Sequence, residues 1–418
     1  MASQRNKDAL QKLVQRPGNN VCADCRKPSP EWAALPWGIF LCVECCSSHR
    51  SIGTSFSKTK SILLDNWTDD EVAIMMEKGN LKVNDTLEAN YHAAFKRPKS
   101  EKDVRVLRDQ WVIAKYQRKE FCAGAEKPAY MSGHKRGFLY KKAKERVEWK
   151  PRLFELSEKG NYLRYFEKEQ DAEPCGSLPL TELNAVLVDD IVSHPNGMVL
   201  MFYKPREDCV RNIYVYAEKG PDIVEWFLAI RHSRANLLGL YQAGLNEQQL
   251  SLKMSRDFVK AGILWKTGPD MKTKMNKRWF LLDQKTLYYY KQPLDPLPLK
   301  KKAVTLGSVS EGYGVEEGSG GARLSQNYPL LLRTPSRTYQ FAAENDEEQR
   351  SWVEAFQRVL RMPPGQDETG SIANGTECKM RSLPATLVPP VDVPPQPPPR
   401  PLHTLGRAPS PFYKGPSV

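Results

Sequence analysis

Two stretches of the chain, 125 residues apart (Gly137 to Gly262), set apolar and polar positions in the same order. The first runs Gly137-Phe-Leu-Tyr-Lys141, then Lys150-Pro-Arg152-Leu-Phe-Glu-Leu156, then Tyr162-Leu-Arg-Tyr165-Phe-Glu-Lys168. The second runs Gly262-Ile-Leu-Trp-Lys266, then Lys277-Arg278-Trp-Phe-Leu-Leu282, then Leu287-Tyr-Tyr289-Tyr-Lys291. Each piece is short, rich in β-branched or aromatic residues and bounded by turn formers, which predicts strands. Each copy then closes on a helical period. Ile223, Trp226, Phe227 and Ile230 fall at i, i+3, i+4 and i+7 after Pro221-Asp222, and Trp352, Phe356 and Val359 repeat the stripe after Asp346. Between the copies, residues 236–257 carry Leu237, Leu238, Leu240, Leu245 and Leu250 among polar residues, which predicts a helical connector and two copies packed together. Ahead of both, three more stripes predict helices: Val72, Met75 and Met76 up to Gly79-Asn80, then Val83, Leu87 and Tyr91, then Val104, Leu107 and Trp111.

The length of 418 residues suits about three folded units at roughly 150 residues each. With 40% hydrophobic and 27% charged residues there is enough apolar material for ordinary cores. No apolar run approaches the roughly 18 residues that a membrane-spanning helix needs. The polar start, with Ala2 rather than Gly after Met1, carries neither a signal-peptide core nor a myristoylation pattern. A soluble, cytoplasmic chain is the expectation. Its formal charge is +13, yet residues 363–418 contribute only +1 (5 basic, 4 acidic) while holding 14 of the 32 prolines. That tail is expected to be disordered, and Pro395, Pro398 and Arg400 form a PxxPxR pattern of the kind that Src-homology-3 type partners bind. The remaining charge concentrates in Lys135–Arg152, with eight basic residues against two acidic, and in Lys260–Arg278, with six against one. Two separate basic stretches beside strands suggest two anion-binding faces, although a solvated surface gives the same count.

Strands followed by one closing helix with a Trp, twice over, resemble two pleckstrin homology (PH) domains, over 131–234 and 258–362. The resemblance implies a strongly bent β-sandwich or barrel with a C-terminal helix, and a phosphoinositide pocket at the loop joining the first two strands. On the matching positions it assigns Lys141, Lys150, Arg152 and Tyr165 to the first pocket, and Lys266, Arg278 and Tyr289 to the second. Asn276 stands where the second pocket's first basic residue belongs, so Lys277 or Lys274 is expected to substitute. Lysine and arginine give inositol phosphates fixed, charge-assisted donors.

Five of the nine cysteines crowd into residues 22–46. Cys22-x2-Cys25, sixteen residues, then Cys42-x2-Cys45 is the spacing of a closed four-thiolate zinc site, with one structural ion and no open position for water. Cys46 is expected to be a small core residue. A DNA-binding finger of the GATA type has nearly the same spacing, so the surroundings matter. Trp32, then Gly38-Ile39-Phe-Leu-Cys42, then Cys45-Cys-Ser-Ser-His49-Arg50, then Lys60-Ser-Ile-Leu-Leu-Asp65 closely resemble the GTPase-activating domain for ADP-ribosylation factors (Arf), over residues 5–125. With two PH domains behind it, the whole chain resembles the dual-PH (centaurin alpha) subfamily of these activators. Fold class is then multidomain α+β: a zinc-finger and helical domain, two PH domains, a connector at 236–257 and the tail.

The resemblance makes Arg50 the finger supplied in trans to the GTPase, and gives Trp32 and Ile39 roles in facing the GTPase or shaping the finger. His49 is expected to be structural, and Ser47-Ser48 departs from the glycine and aliphatic residue common in the family. The implied partners are an Arf GTPase and a membrane carrying phosphatidylinositol 3,4,5-trisphosphate, with inositol tetrakisphosphate as a soluble counterpart. Recruitment would be peripheral, to plasma membrane or endosomes. No nucleic-acid partner is expected, since no basic tail follows the finger. The alternative is a membrane adaptor whose activating domain is catalytically weak.

Overall fold

The computed structural model describes residues 2–362 apart from 100–102, 145–147, 190–191, 193, 205–207, 268–274, 300–302 and 319–327. Lys274 and the proline-rich segment with Pro395, Pro398 and Arg400 lie outside the described residues. The N-terminal unit runs α1 (Ala2–Val14), β1 (Trp32–Leu35), β2 (Ile39–Leu41), α2 (Val43–Ser51), β3 (Lys58–Ser61), α3 (Asp69–Glu77), α4 (Asn80–Leu87) and α5 (Arg105–Val112). Its sheet has the order β2-β1-β3. Thr68 starts α3 with a reciprocal cap: its hydroxyl accepts from Glu71 N while the Glu71 carboxylate accepts from Thr68 N. Three expectations shift here. Met76 points outward and is 54% exposed. Tyr91 lies beyond α4, its ring edge-on to Trp111 and Phe121. The Trp111 helix passes at Ile113 into a π turn that carries Lys115 and Tyr116 inward.

Two seven-stranded units follow. The first contains β4 (His134–Lys142), β5 (Trp149–Ser157), β6 (Tyr162–Phe166), β7 (Gly176–Pro179), β8 (Asn184–Val188), β9 (Gly197–Lys204), β10 (Cys209–Tyr216) and α6 (Gly220–Leu237). A connecting helix, α7 (Glu247–Met254), leads to β11 (Lys260–Lys266), β12 (Asn276–Asp283), β13 (Thr286–Tyr290), β14 (Val304–Thr305), β15 (Gly314–Glu317), β16 (Tyr328–Thr334), β17 (Arg337–Ala343) and α8 (Asp346–Leu360). The strand orders match: β7-β6-β5-β4-β10-β9-β8 and β14-β13-β12-β11-β17-β16-β15. Trp226 and Trp352 play the same part, each packing its ring against the glycine of the first strand, Gly137 or Gly262.

The two closing helices differ in their surroundings. Helix α8 is amphipathic, with Trp352, Phe356, Val359 and Leu360 buried on one side. The sequence predicts the same stripe for α6, but nearly every residue from Ile223 to Ser233 is buried, because the helix is covered on both flanks. One apolar core runs from Cys22, Leu107 and Trp111 through Tyr130 to Ile223, Phe227 and Ile230. The fully buried Arg231 guanidinium fills this junction by donating to the carbonyls of Ala93, Ala94 and Ser251. Lys96 bridges Asp103 (2.5 Å) and Asp257 (2.7 Å), tying the N-terminal unit to the start of the second β-unit.

The two β-units also pack on each other. Val186, Val199, Met201 and Tyr214 meet Leu281, Tyr288 and Tyr290 in a separate apolar cluster. Asn212 N–H donates to Pro296 O (2.9 Å), and its side-chain amide donates to Tyr290 Oη (3.0 Å).

Candidate functional site

Helix α2 explains why two of the four cysteines meet. Cys42 is its N-cap and its sulfur accepts from Cys45 N–H (3.5 Å), so residues one turn apart face the same point. The other pair comes from a tight knuckle in which Cys22 N donates to Lys27 O (2.7 Å) and Arg26 N to Cys22 O (3.1 Å). All four sulfurs lie within 4.8 Å of one another, and Cys25 and Cys42 are 3.5 Å apart. Metal–sulfur bonds of about 2.3 Å in a tetrahedron require sulfurs at this separation. Hydrogen bonds from Cys22, Cys25 and Cys42 hold the Cys45 thiol well above its ordinary value, a crowding that a divalent cation relieves. The donor set and spacing therefore fit a closed, structural metal site.

A buried polar cluster braces this module. His49 bonds Asp24 with one ring nitrogen (3.0 Å) and the Ser57 hydroxyl with the other (2.7 Å). Asp24 also receives Lys115 Nζ (3.0 Å) and Tyr116 Oη (2.8 Å). Burial alone would raise the Asp24 carboxyl, but the Lys115 ammonium and His49 outweigh it and hold it well below the usual carboxylate range. Lys115 further pairs with Glu88 (2.7 Å), which Arg97 grips with both terminal nitrogens while reaching Glu247 on α7. His49 is thus wholly buried and has no place among the sulfurs.

Arg50 follows it on the last turn of α2 and is exposed. Its guanidinium lies 4.5 Å from the Trp32 ring centroid, and Nε–H donates to Thr59 Oγ1 (3.0 Å). Among the described residues no carboxylate pairs with it. Trp32 is half-buried beneath it, whereas Ile39 is fully buried against Cys22, Cys42 and Cys45, so Ile39 shapes the module from inside.

The β-units hold two cationic clusters on equivalent frames. Lys141 pairs with Lys150, and Leu139 with Arg152, so all three cations share the inward face of β4–β5. The Lys141 ammonium lies 5.0 Å from the Tyr165 ring, Arg152 donates to Pro151 O (3.1 Å), and Glu167 is 3.2 Å away. Gly176 lets the Tyr165 ring come this close, since a Cβ there would meet it at 2.6 Å. In the second unit Lys266 lies 5.2 Å from the Tyr289 ring and Arg278 donates to Lys277 O (2.7 Å). Burial, with Arg211 and Arg152 close by, pushes Lys141 down to about 8. Cations converging on a lysine whose charged form they disfavour describe a site shaped for an anion.

The Arf GTPase-activating family pattern matches residues 7–125, and the PH domain pattern matches 133–235 and 258–361. The human Arf-GAP with dual PH domain-containing protein 2 is 36% identical over 368 residues, covering 86% of this chain and 94% of that protein. Its mouse counterpart is 37% identical over the same share of each. The chain belongs to the dual-PH Arf-GAP family. Proteins of this family stimulate GTP hydrolysis by Arf, and their PH domains imply phosphoinositide binding.

Within the Arf-GAP domain, the four cysteines anticipated as ligands come together, and Trp32 meets Arg50. In the second PH domain one expectation fails. Lys277 pairs with Trp265, on the opposite face of β11–β12 from Lys266 and Arg278, and its ammonium stacks over that Trp and bonds Glu344 (2.8 Å). Strand alternation sends it away from the pocket, and Asn276 occupies the position opposite Lys266.

Sequence reasoning also missed one residue in each PH domain. Lys141 pairs with Val215 and Lys266 with Phe341; four residues before those partners stand Arg211 and Arg337. Arg211 acts on Lys141, and Arg337 on Tyr289, while each Nε is buried without a partner. An arginine at the same offset ahead of both closing helices was the available signal. No helix among the described residues is long and apolar enough to cross a membrane.

Proposed function

We propose that this chain recruits itself to membranes through two headgroup pockets and there activates an Arf GTPase with Arg50 acting in trans, on a domain held together by one zinc ion. Arg50 supports the reading most directly: an exposed guanidinium on a helix rooted in four cysteines, without a local carboxylate. Negative charge develops on the transferring phosphoryl group during GTP hydrolysis, and an arginine brought from outside offsets it with two donors and a permanent charge. Zinc is assigned because four cysteines at this spacing suit its tetrahedral, sulfur-rich preference. When bound it supplies structural cross-linking only, since all four positions are taken by the chain.

For the lipid, phosphatidylinositol 3,4,5-trisphosphate is the proposed ligand, with inositol tetrakisphosphate as its soluble headgroup counterpart. Lys141, Lys150, Arg152, Arg211 and Tyr165 would hold one headgroup, and Lys266, Arg278, Arg337 and Tyr289 the other. The strand carrying Arg211 touches Pro296 of the loop that follows β13, so the two PH domains are held directly against each other. Two linked sites convert the second binding step into a local one and raise avidity without new contacts.

GTP hydrolysis by Arf on vesicles, with and without the trisphosphate lipid, is the test. Wild-type protein should be stimulated by the lipid, and the Arg152→Cys/Arg278→Cys double variant should lose both sedimentation with vesicles and that stimulation. Unchanged sedimentation of the double variant rejects the pockets. Sedimentation without any stimulated hydrolysis supports a passive adaptor.

Lys141 adds a pH signature. Its lowered value in the free protein means that a bound anion must restore its proton. Headgroup affinity should therefore fall as pH rises from 7 to 9, with net proton uptake on binding. Calorimetry of the Arg278→Cys variant with inositol tetrakisphosphate in buffers of different ionisation enthalpy measures both, and pH-independent binding would reject the assignment.

A further inference from the structure

We infer that Thr59 is a positioning residue for Arg50, fixing the guanidinium so that its terminal nitrogens are free for a phosphoryl group. This rests on the reading of Arg50 as the trans-acting finger. Thr59 faces Ala34 across the β1–β3 pairing, and Trp32, two residues before Ala34, lies on the same side of that sheet. Together they form a small shelf under the last turn of α2: the indole takes one face of the guanidinium and the hydroxyl takes Nε–H at 3.0 Å. An arginine has five N–H donors, of which this arrangement occupies one. The four on Nη1 and Nη2 have no partner among the described residues.

A long side chain on an exposed helix end otherwise samples many rotamers, and each must be given up when the finger enters the nucleotide site. Holding Nε removes part of that loss before the encounter, and the planar fork then presents two parallel donors.

Thr59→Val keeps the shape and deletes the hydroxyl, while Thr59→Ser keeps the hydroxyl. Single-turnover hydrolysis by Arf·GTP on vesicles, with full-length protein at varied concentration, should show Thr59→Val lowering the maximal rate about 3- to 10-fold, the span of one solvent-exposed hydrogen bond, with half-saturation little changed. Thr59→Ser should stay near wild type. In an Arg50→Ala background Thr59→Val should add nothing, a result that a merely structural role would not produce. Metal content and melting temperature of the Thr59→Val protein should match wild type. A wild-type maximal rate in Thr59→Val, or an equal further loss in the Arg50→Ala background, overturns the inference. A wild-type rate in Arg50→Ala alone rejects the finger itself, a distinguishable result.

Discussion

Replacing Arg50 by lysine is expected to lower the stimulated hydrolysis of GTP by Arf by about 10³-fold or more, at equal protein and lipid. A trans-acting arginine is worth about 10³ to 10⁵ in rate, equivalent to about 4–7 kcal/mol of barrier. Lysine keeps the charge but offers one compact ammonium in place of a planar fork, so it cannot span two oxygens. It also forfeits the Nε–H bond to Thr59 and the flat contact with Trp32. Vesicle binding should be untouched, because the cationic clusters proposed to carry it lie in the PH domains. Single-turnover assays with wild type and Arg50→Lys measure the effect. Equal rates would remove Arg50 from the chemistry and leave a membrane adaptor.

Stripping the metal should have the largest effect on stability. Helix α2 has nine residues, begins at a ligand and would be marginal alone, since isolated helices shorter than about 12–15 residues rarely persist in water. Apparent zinc-binding energies in small thiolate sites are about 10–16 kcal/mol at neutral pH, which makes metal binding part of folding. The consequence should be uneven. Cys22, Cys42 and Cys45 share a continuous core with Trp111, Tyr130 and Phe227, so the first PH domain should loosen with the Arf-GAP domain. The second PH domain has its own core around Phe280, Phe341, Trp352 and Phe356 and should keep its protection. Hydrogen exchange before and after chelation, with metal stoichiometry measured alongside, separates these regions. Full protection of residues 20–50 in metal-free protein would refute a structural zinc.

The strands and cysteines were legible because their signals are local. Period-two alternation marked Gly137–Lys141 and Gly262–Lys266, and the paired C-x2-C spacing marked the four sulfurs before any contact was known. The tryptophan stripe of α8 was equally readable, since that helix has one covered side. Its partner α6 was not: the sequence shows the stripe of Ile223, Trp226, Phe227 and Ile230, but the Arf-GAP domain covers the other flank and buries Arg231 and Ser233 as well. Lys277 failed for a different reason. Composition counts it with the basic cluster, while strand parity, set by pairing with Trp265, sends it outward.

By itself, then, the amino-acid order determined which segments become strands and helices and where a metal can be held. These depend on residues a few positions apart, whose relative directions follow from backbone geometry. Only the tertiary structure decided that Arg211 and Arg337 join the cationic clusters, that Thr59 meets Arg50, and that three domains share cores and ion pairs such as Lys96 with Asp257. Those are meetings of residues far apart in the chain. They are set by which faces remain to be buried once the local elements have formed, and no short-range pattern encodes that choice.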